Sequence, residues 1–465
     1  MPLAAKASIV YLMVSILQKG MAFLTSPLYT RLLTTEEFGQ VTVYLSWQQL
    51  FGIVAMFCLS AGVFDVGMLE YKTKREEFVF SLLILSNLIS LVSGLCILAL
   101  YPVLKTVIGL DIPLLLVMFA TFFTQPAFLF WTRQQRFEYR YRIPSIVTLL
   151  LSVLAPAAAI LCIVYGGDNK VYGRIFGFEI VSIAVYLIFY GYLLLKSKGR
   201  LNTAYWGYAV RFNLPLIPHY LSSYVLNSSD RIMISALSGS SDAALYGIAY
   251  SIAAVITIVW SAVNSSLVPY TYEKFEQKEY ESVSKITNSI LTIYAVICLF
   301  VIVLAPEALK ILATAEYSMA VYVIPPIVGG VFFQTLYYVF SNVLYYYKKP
   351  KFVMIGSIIT AALNLILNYI FIPLFGFIAA GYTTLICYML QALIDYLAMR
   401  KVAGIAIYNI RYLLSLSGIV ILISLLSNFL YGVPYIRYSI LLVILLAVVW
   451  KRSDIIAVMN NTRKR

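Results

Sequence analysis

The chain has little charge. Only 12% of its 465 residues are Asp, Glu, Lys or Arg, where a soluble domain carries about a quarter. It has one histidine, His219, so acid–base catalysis by imidazole has almost no material to work with. Its five cysteines, Cys58, Cys96, Cys162, Cys298 and Cys387, all fall inside apolar stretches, and their spacing fits neither a zinc site nor a disulfide framework. No phosphate-cradling glycine loop, metal-ligand cluster or nucleophile–base pair is present. What remains is apolar: 62% of the residues are hydrophobic.

These residues gather into about fourteen stretches, most near 20 residues long, the length of helix that crosses a hydrocarbon core. The expected spans are 7–33, 38–66, 78–101, 111–132, 143–165, 171–195, 207–237, 243–270, 287–305, 319–346, 353–372, 379–400, 412–431 and 435–450. The pattern predicts an all-α polytopic membrane protein. The N-terminal MPLAAK and its apolar run lack a convincing cleavage site and read as a retained first helix.

A net charge of +14 would ordinarily raise nucleic-acid binding, but the cations sit in short loops beside helix ends. They recur in every even-numbered loop, as at Lys72–Arg75, Arg133–Arg142, Lys196–Arg200, Lys348–Lys351 and Arg400–Arg411, and in the tail 451–465. That bias places both termini in the cytoplasm.

The first and second six spans read as copies. PLYTRLLTTEEFGQVTVYLS (Pro27–Ser46) parallels NSSDRIMISALSGSSDAALYGIAYS (Asn227–Ser251), each with an arginine closing a helix (Arg31, Arg231) and then an aromatic-Gly pair (Phe38-Gly39, Tyr246-Gly247). The basic loops Arg140–Ile146 and Tyr347–Val353 match at an offset near 200 residues. Six spans per copy is an even number, so the copies share orientation, as parallel repeats do. The predicted organisation is an N-terminal lobe at 1–200, a C-terminal lobe at 201–405, and a helix pair with a basic tail at 406–465.

Function must be read from polar groups inside the spans, because a charge at the bilayer centre costs about 2.5–3.5 kcal/mol on insertion scales. Lys19 lies midway along span 1, too deep to snorkel easily. His219 is its counterpart, each lying twelve residues before its arginine. Two basic-capable groups at equal depth would suit an anion; the alternatives are a buried pair of Lys19 with Asp230 or Glu179, and a neutral core histidine. Arg211 either meets the anion on entry or snorkels. His219 and Asp230 are eleven residues apart, within roughly 20° of one face of an unbroken helix, and Pro215 and Pro218 predict a kink. Gln48, Gln49, Tyr224, Tyr250, Asn364 and Asn368 are candidate sugar contacts, with helix–helix hydrogen bonding or core packing as the alternative. Glu179 and Asp395 are candidate H+ or Na+ coupling groups; Asp395, with Gln391, is equally a candidate for sugar hydroxyls. Arg31, Asp230 and Arg231 read as fold-stabilising turn residues. No cofactor or metal is expected.

Four segments carry a resemblance: SPLYTRLLTTEEFG (Ser26–Gly39), LPLIPHYLSSYVLNSSDRIMISAL (Leu214–Leu237), LYGIAYS (Leu245–Ser251) and the block Lys348–Thr384. In this order and spacing they resemble the polysaccharide (Wzx-type) flippases of the multidrug/oligosaccharidyl-lipid/polysaccharide exporter superfamily. The resemblance implies two six-helix lobes in a V around a cavity, and transfer of a polyprenyl-diphosphate-linked oligosaccharide, an O-antigen, capsule or exopolysaccharide unit, across a bacterial inner membrane by alternating access. It implies membrane lipids, a polysaccharide polymerase and chain-length machinery as partners. A peptidoglycan lipid-precursor flippase moves a similar diphosphate and stays open as an alternative. A cation-coupled antiporter of the same superfamily would want acids where Lys19 stands. A glycan polymerase or ligase would want a large outer loop, and every expected outer loop is short.

Overall fold

The computed structural model describes residues 3–450, and the basic tail expected at 451–465 lies outside them. Among the described residues every regular element is helical. The chain divides into two compact units, Met1–Ala244 and Leu245–Arg465.

The first unit runs α1 (Leu3–Leu32), α2 (Thr35–Ala55), α3 (Val63–Glu70), α4 (Arg75–Ala99), α5 (Tyr101–Ile108), α6 (Ile112–Phe137), α7 (Arg142–Tyr165) and α8 (Lys170–Ser197). It continues through α9 (Ala204–Asn213), α10 (Ile217–Tyr224) and α11 (Asp230–Leu237). Helix α12 (Ser240–Glu276) leads into the second unit, with α13 (Tyr280–Val303), α14 (Ala305–Leu312), α15 (Ile324–Tyr346), α16 (Pro350–Phe375), α17 (Phe377–Ala403), α18 (Ile410–Leu430) and α19 (Pro434–Trp450).

Ten helices among the described residues are long and apolar enough to cross a membrane, fewer than the fourteen spans expected. The others include α1, α2 and α19, which stand where the first, second and last spans were expected, and a seventh span broken into pieces. The protein is a polytopic all-α membrane protein.

Two expected spans end differently. The span expected at 38–66 stops at Ala55, because Phe57 (φ 50°) and Cys58 (φ 49°) occupy the left-handed region, where a helix cannot continue. Asn213 Nδ2 donates to Phe57 O at 2.9 Å and ties this break to the end of α9. The start of α2 is fixed by a capping box: Glu37 N–H donates to Thr34 Oγ1 at 3.2 Å, and Thr34 N–H donates to Glu37 Oε2 at 2.8 Å. The span expected at 207–237 is interrupted twice. Pro215 lies in a 3-10 turn at Leu214–Leu216 and Pro218 in the first turn of α10, and a π-helical stretch, Val225–Ser229, separates α10 from α11. The π turn takes more residues per revolution than an α turn, so the common stripe expected for His219 and Asp230 does not run through it.

Within the first unit, α8 packs on α6 and α7, α1 on α7, and α10 and α11 on α2. Lipid offers no hydrophobic drive between helices, so close approach depends on small residues. A Cβ on Gly177 of α8 would lie 2.8 Å from Ala158 O of α7. The aromatic core is built on Phe64 and Phe130, stacked at 5.1 Å, with Phe78, Trp131 and Tyr205 around them.

The second unit is built around α15, buried along nearly its whole length and packed on α17, α18 and α13. Contacts thus assign α9, α10 and α11 to the first unit, whereas the repeat in the sequence starts its second copy at 201. Tyr224 Oη donates to Ser46 O of α2 at 2.8 Å, and Ser228 Oγ donates to Gln49 Oε1 at 2.8 Å.

Candidate functional site

The first unit holds a buried carboxylate where α2, α6 and α8 meet. Glu179 of α8 is 3% exposed. Gln48 Nε2 of α2 donates to its Oε1 at 2.8 Å, and Thr121 Oγ1 of α6 donates to its Oε2 at 2.8 Å. Arg174, five residues earlier on α8, lies within electrostatic reach. Its guanidinium sits over the Tyr29 ring of α1 at 4.2 Å and over Phe178 at 5.0 Å. Tyr44 of α2, whose hydroxyl is buried without a hydrogen-bond partner among the described residues, lies within electrostatic reach of the same cluster. Gln48 and Glu179 were separate candidates in the sequence and are here one site. Nothing in the sequence singles out Arg174, near the start of the span expected at 171–195, or Tyr44, one of 38 tyrosines.

Lys19 is exposed on α1 and makes no hydrogen bond or ion pair among the described residues. It pairs with neither of the acids considered for it. Its neighbours Leu12, Met13, Ile16 and Leu17 are exposed too, so this stretch of α1 is open on most sides. His219 of α10 is half-buried, and its Nδ1 is buried without a hydrogen-bond partner among the described residues. No hydrogen bond joins it to Lys19. Arg211 is exposed on α9. Gln49 is exposed and accepts from Ser228, and Tyr224 is buried against α2.

The turn arginines make one contact twice. Arg31 Nη1 donates to Pro27 O at 2.8 Å, and Arg231 Nη1 to Asn227 O at 3.5 Å, each four residues back along the chain. Asp230 is 1% exposed.

In the second unit the polar residues form a ladder between α16 and α17. Ser357, Thr360, Asn364 and Asn368 recur on one face of α16. Thr360 donates to Gln391, which donates to Asp395 Oδ2 at 3.1 Å. Asn364 Nδ2 donates to Thr384 Oγ1 at 3.2 Å, Asn368 Nδ2 donates to Asn364 Oδ1 at 3.2 Å, and Thr383 donates to Asn368. Asn364 and Asn368 are inaccessible in this conformation, tying helices together as such pairs do in membranes. Asp395 is fully buried and its Oδ1 has no hydrogen-bond partner among the described residues. Tyr250 is half-buried, its ring 6.3 Å from that of Tyr246.

Among the described residues no group of three or more His, Cys, Asp or Glu could hold a metal ion. Membrane-embedded carboxylates, a free ammonium and interhelical ladders are the furniture of a transporter. The sequence profile of a family described as polysaccharide biosynthesis protein matches residues 4–275, more than half of the chain. The chain belongs to that family. It is a flippase of the multidrug/oligosaccharidyl-lipid/polysaccharide exporter superfamily, and a transporter rather than an enzyme. The MatE profile also matches, at residues 215–370.

Relatives of this flippase include an Lsg locus protein of Haemophilus influenzae, 24% identical over 378 residues, covering 76% of this chain and 88% of the relative. A protein named as a probable low-salt glycan biosynthesis flippase of Haloferax volcanii is 27% identical over 180 residues, 37% of this chain and 38% of that protein. In fold, the flippase is similar to lipid II flippase MurJ in an inward closed conformation, with a TM-score of 0.71 at 13% identity, covering 96% of this chain and 100% of that one. It is also similar to an inward-facing multidrug resistance MATE family transporter, with a TM-score of 0.62 at 14% identity, covering 83% and 95%.

Proposed function

We propose that this flippase carries a polyprenyl-diphosphate-linked oligosaccharide from the cytoplasmic to the outer leaflet of a bacterial inner membrane, with both termini in the cytoplasm. The observation that carries the reading is Lys19, an ammonium midway along a membrane helix with no carboxylate partner among the described residues. A diphosphate headgroup supplies the missing countercharge in a medium that tolerates neither charge alone. Arg211, at the basic end, meets the diphosphate on entry, and His219 contributes from α10. Gln49 and Tyr250 are partly accessible and stand for sugar contact. Glu179 and Asp395 are the groups on which proton or sodium coupling would act. The names of the relatives, a glycan biosynthesis flippase among them, support a glycan cargo. A carrier of cationic drugs is disfavoured by the sign of Lys19. The repeated arginine turns and the parallel copies in the sequence support alternating access by two lobes, 1–200 and 201–405, with 406–465 as an added helix pair.

The test is deletion of the gene with analysis of the lipid-linked intermediate. Accumulation of the complete oligosaccharide lipid on the cytoplasmic leaflet supports flipping. Normal translocation, or accumulation of a peptidoglycan precursor instead, refutes the cargo. Lys19→Ala should abolish export while the protein stays in the membrane, and normal export by this variant removes the diphosphate role.

A further inference from the structure

At the basic ends of α6, α7 and α8 the surface opens into a groove of about 670 Å³. Its floor is Trp131, whose ring meets that of Phe189 in a tilted contact at 4.1 Å, and Gln135. Its rim carries Arg140 and Arg142 together with Tyr139, Tyr141 and Tyr192. Gln135 is only 6% exposed, yet its Nε2 has no hydrogen-bond partner. Arg142 is exposed and unpaired among the described residues, and Arg140 meets Glu138 at 3.2 Å while remaining 68% exposed.

The apolar side of the groove is as specific as the charged side. Ile143 and Ile188 at its edge are 66% and 68% exposed. From Ile143 a line of exposed apolar residues, Ile146 and Leu150, continues along α7 at helical spacing, away from the basic end. Arginines and tyrosines at headgroup depth, with an aliphatic track leading toward the bilayer centre, are complementary to one molecule: a phospholipid with an anionic headgroup.

We propose that this groove binds an anionic glycerophospholipid of the cytoplasmic leaflet. Arg140 and Arg142 contact the phosphate, and an acyl chain lies along Ile143, Ile146 and Leu150. The site is separate from Lys19 and is independent of the cargo reading.

The experiment is native mass spectrometry of the purified full-length protein titrated with phosphatidylglycerol or phosphatidylcholine. Phosphatidylglycerol should be retained preferentially. In the Arg140→Ala/Arg142→Ala variant its affinity should fall about tenfold or more, at roughly 1 kcal/mol per basic side chain near the surface, with phosphatidylcholine unaffected. Arg142→Ala alone, at an exposed position unpaired among the described residues, keeps the test valid should the double variant fail to fold. Equal retention of the two lipids, or unchanged preference in the arginine variants, overturns the proposal. So does selective loss of undecaprenyl diphosphate rather than phosphatidylglycerol in those variants, which would make the groove a cargo port.

Discussion

Gln48 of α2 donates to Glu179 of α8 across 131 positions of sequence, at 2.8 Å. The bond holds one oxygen of a carboxylate that is removed from water, and Thr121 holds the other. Each donor stabilises the acid by about 1.5–3 kcal/mol if it is ionised.

Removing the bond should therefore be felt. Gln48→Leu keeps the volume but strips one donor, and should slow transport about tenfold or more without loss of protein from the membrane. Glu179→Gln should impair transport more severely, since it removes the charge as well as an acceptor. Transport assays in proteoliposomes, with membrane abundance as control, check both. Wild-type rates in Glu179→Gln would exclude a coupling role.

Gly39 is fixed by a close approach. A Cβ there would stand 1.8 Å from Ser240 O, a backbone atom that cannot swing away. Gly39→Ala should destabilise the first unit by several kcal/mol, by analogy with overpacked cores. The readout is a drop in thermal midpoint of purified protein and in membrane abundance. An unchanged midpoint would show that α2 and Ser240 do not meet this closely.

The α16–α17 ladder predicts a graded response. Asn368→Ala removes the partner of Thr383 and of Asn364 Oδ1 in a dry interface, and should cost about 1–2 kcal/mol. Asn368→Asp should cost more, because it puts a charge there. Thermal denaturation in detergent ranks the two, and a reversed order would contradict the buried placement.

Glu307 of α14 gives a pH signature. Arg437 Nη1 and Nη2 donate to it at 2.6 and 2.7 Å, and Tyr438 Oη at 2.8 Å. Burial pushes its carboxyl up, but these donors and the guanidinium charge outweigh that and hold it below the usual range. A carboxyl depressed in the folded state adds stability that is fully present above its unfolded pKa, about 4.3, and lost as pH falls through the folded value. The thermal midpoint should decline below about pH 4, and Glu307→Gln should flatten that decline while lowering the midpoint near neutrality. An identical acid limb in wild type and variant would discount the pair.

Much of the chain was readable before folding was considered. The spans, the alternation of basic loops and the offset between Arg31 and Arg231 are local patterns, and their cause is local: about 20 apolar residues satisfy their own backbone in lipid as a helix. The paired glycine motif had a meaning the sequence hid, because only packing reveals that Gly39 lies under a carbonyl. The break after Ala55 was also hidden, since it depends on Asn213 reaching Phe57 O from a distant helix. Pro215 and Pro218 announced a kink, but nothing in Val225–Ser229 announced a π turn.

The sequence by itself determined that this protein lives in a membrane, repeats itself, and keeps an ammonium at Lys19, because hydropathy, spacing and charge act along the chain. The tertiary structure alone decided that Glu179, Gln48 and Thr121 form one site with Arg174 near it, while Asn364 and Asn368 close on each other. The reason is that a polar group in lipid takes its identity from the partner it finds, and partners are chosen by packing between helices far apart in the chain.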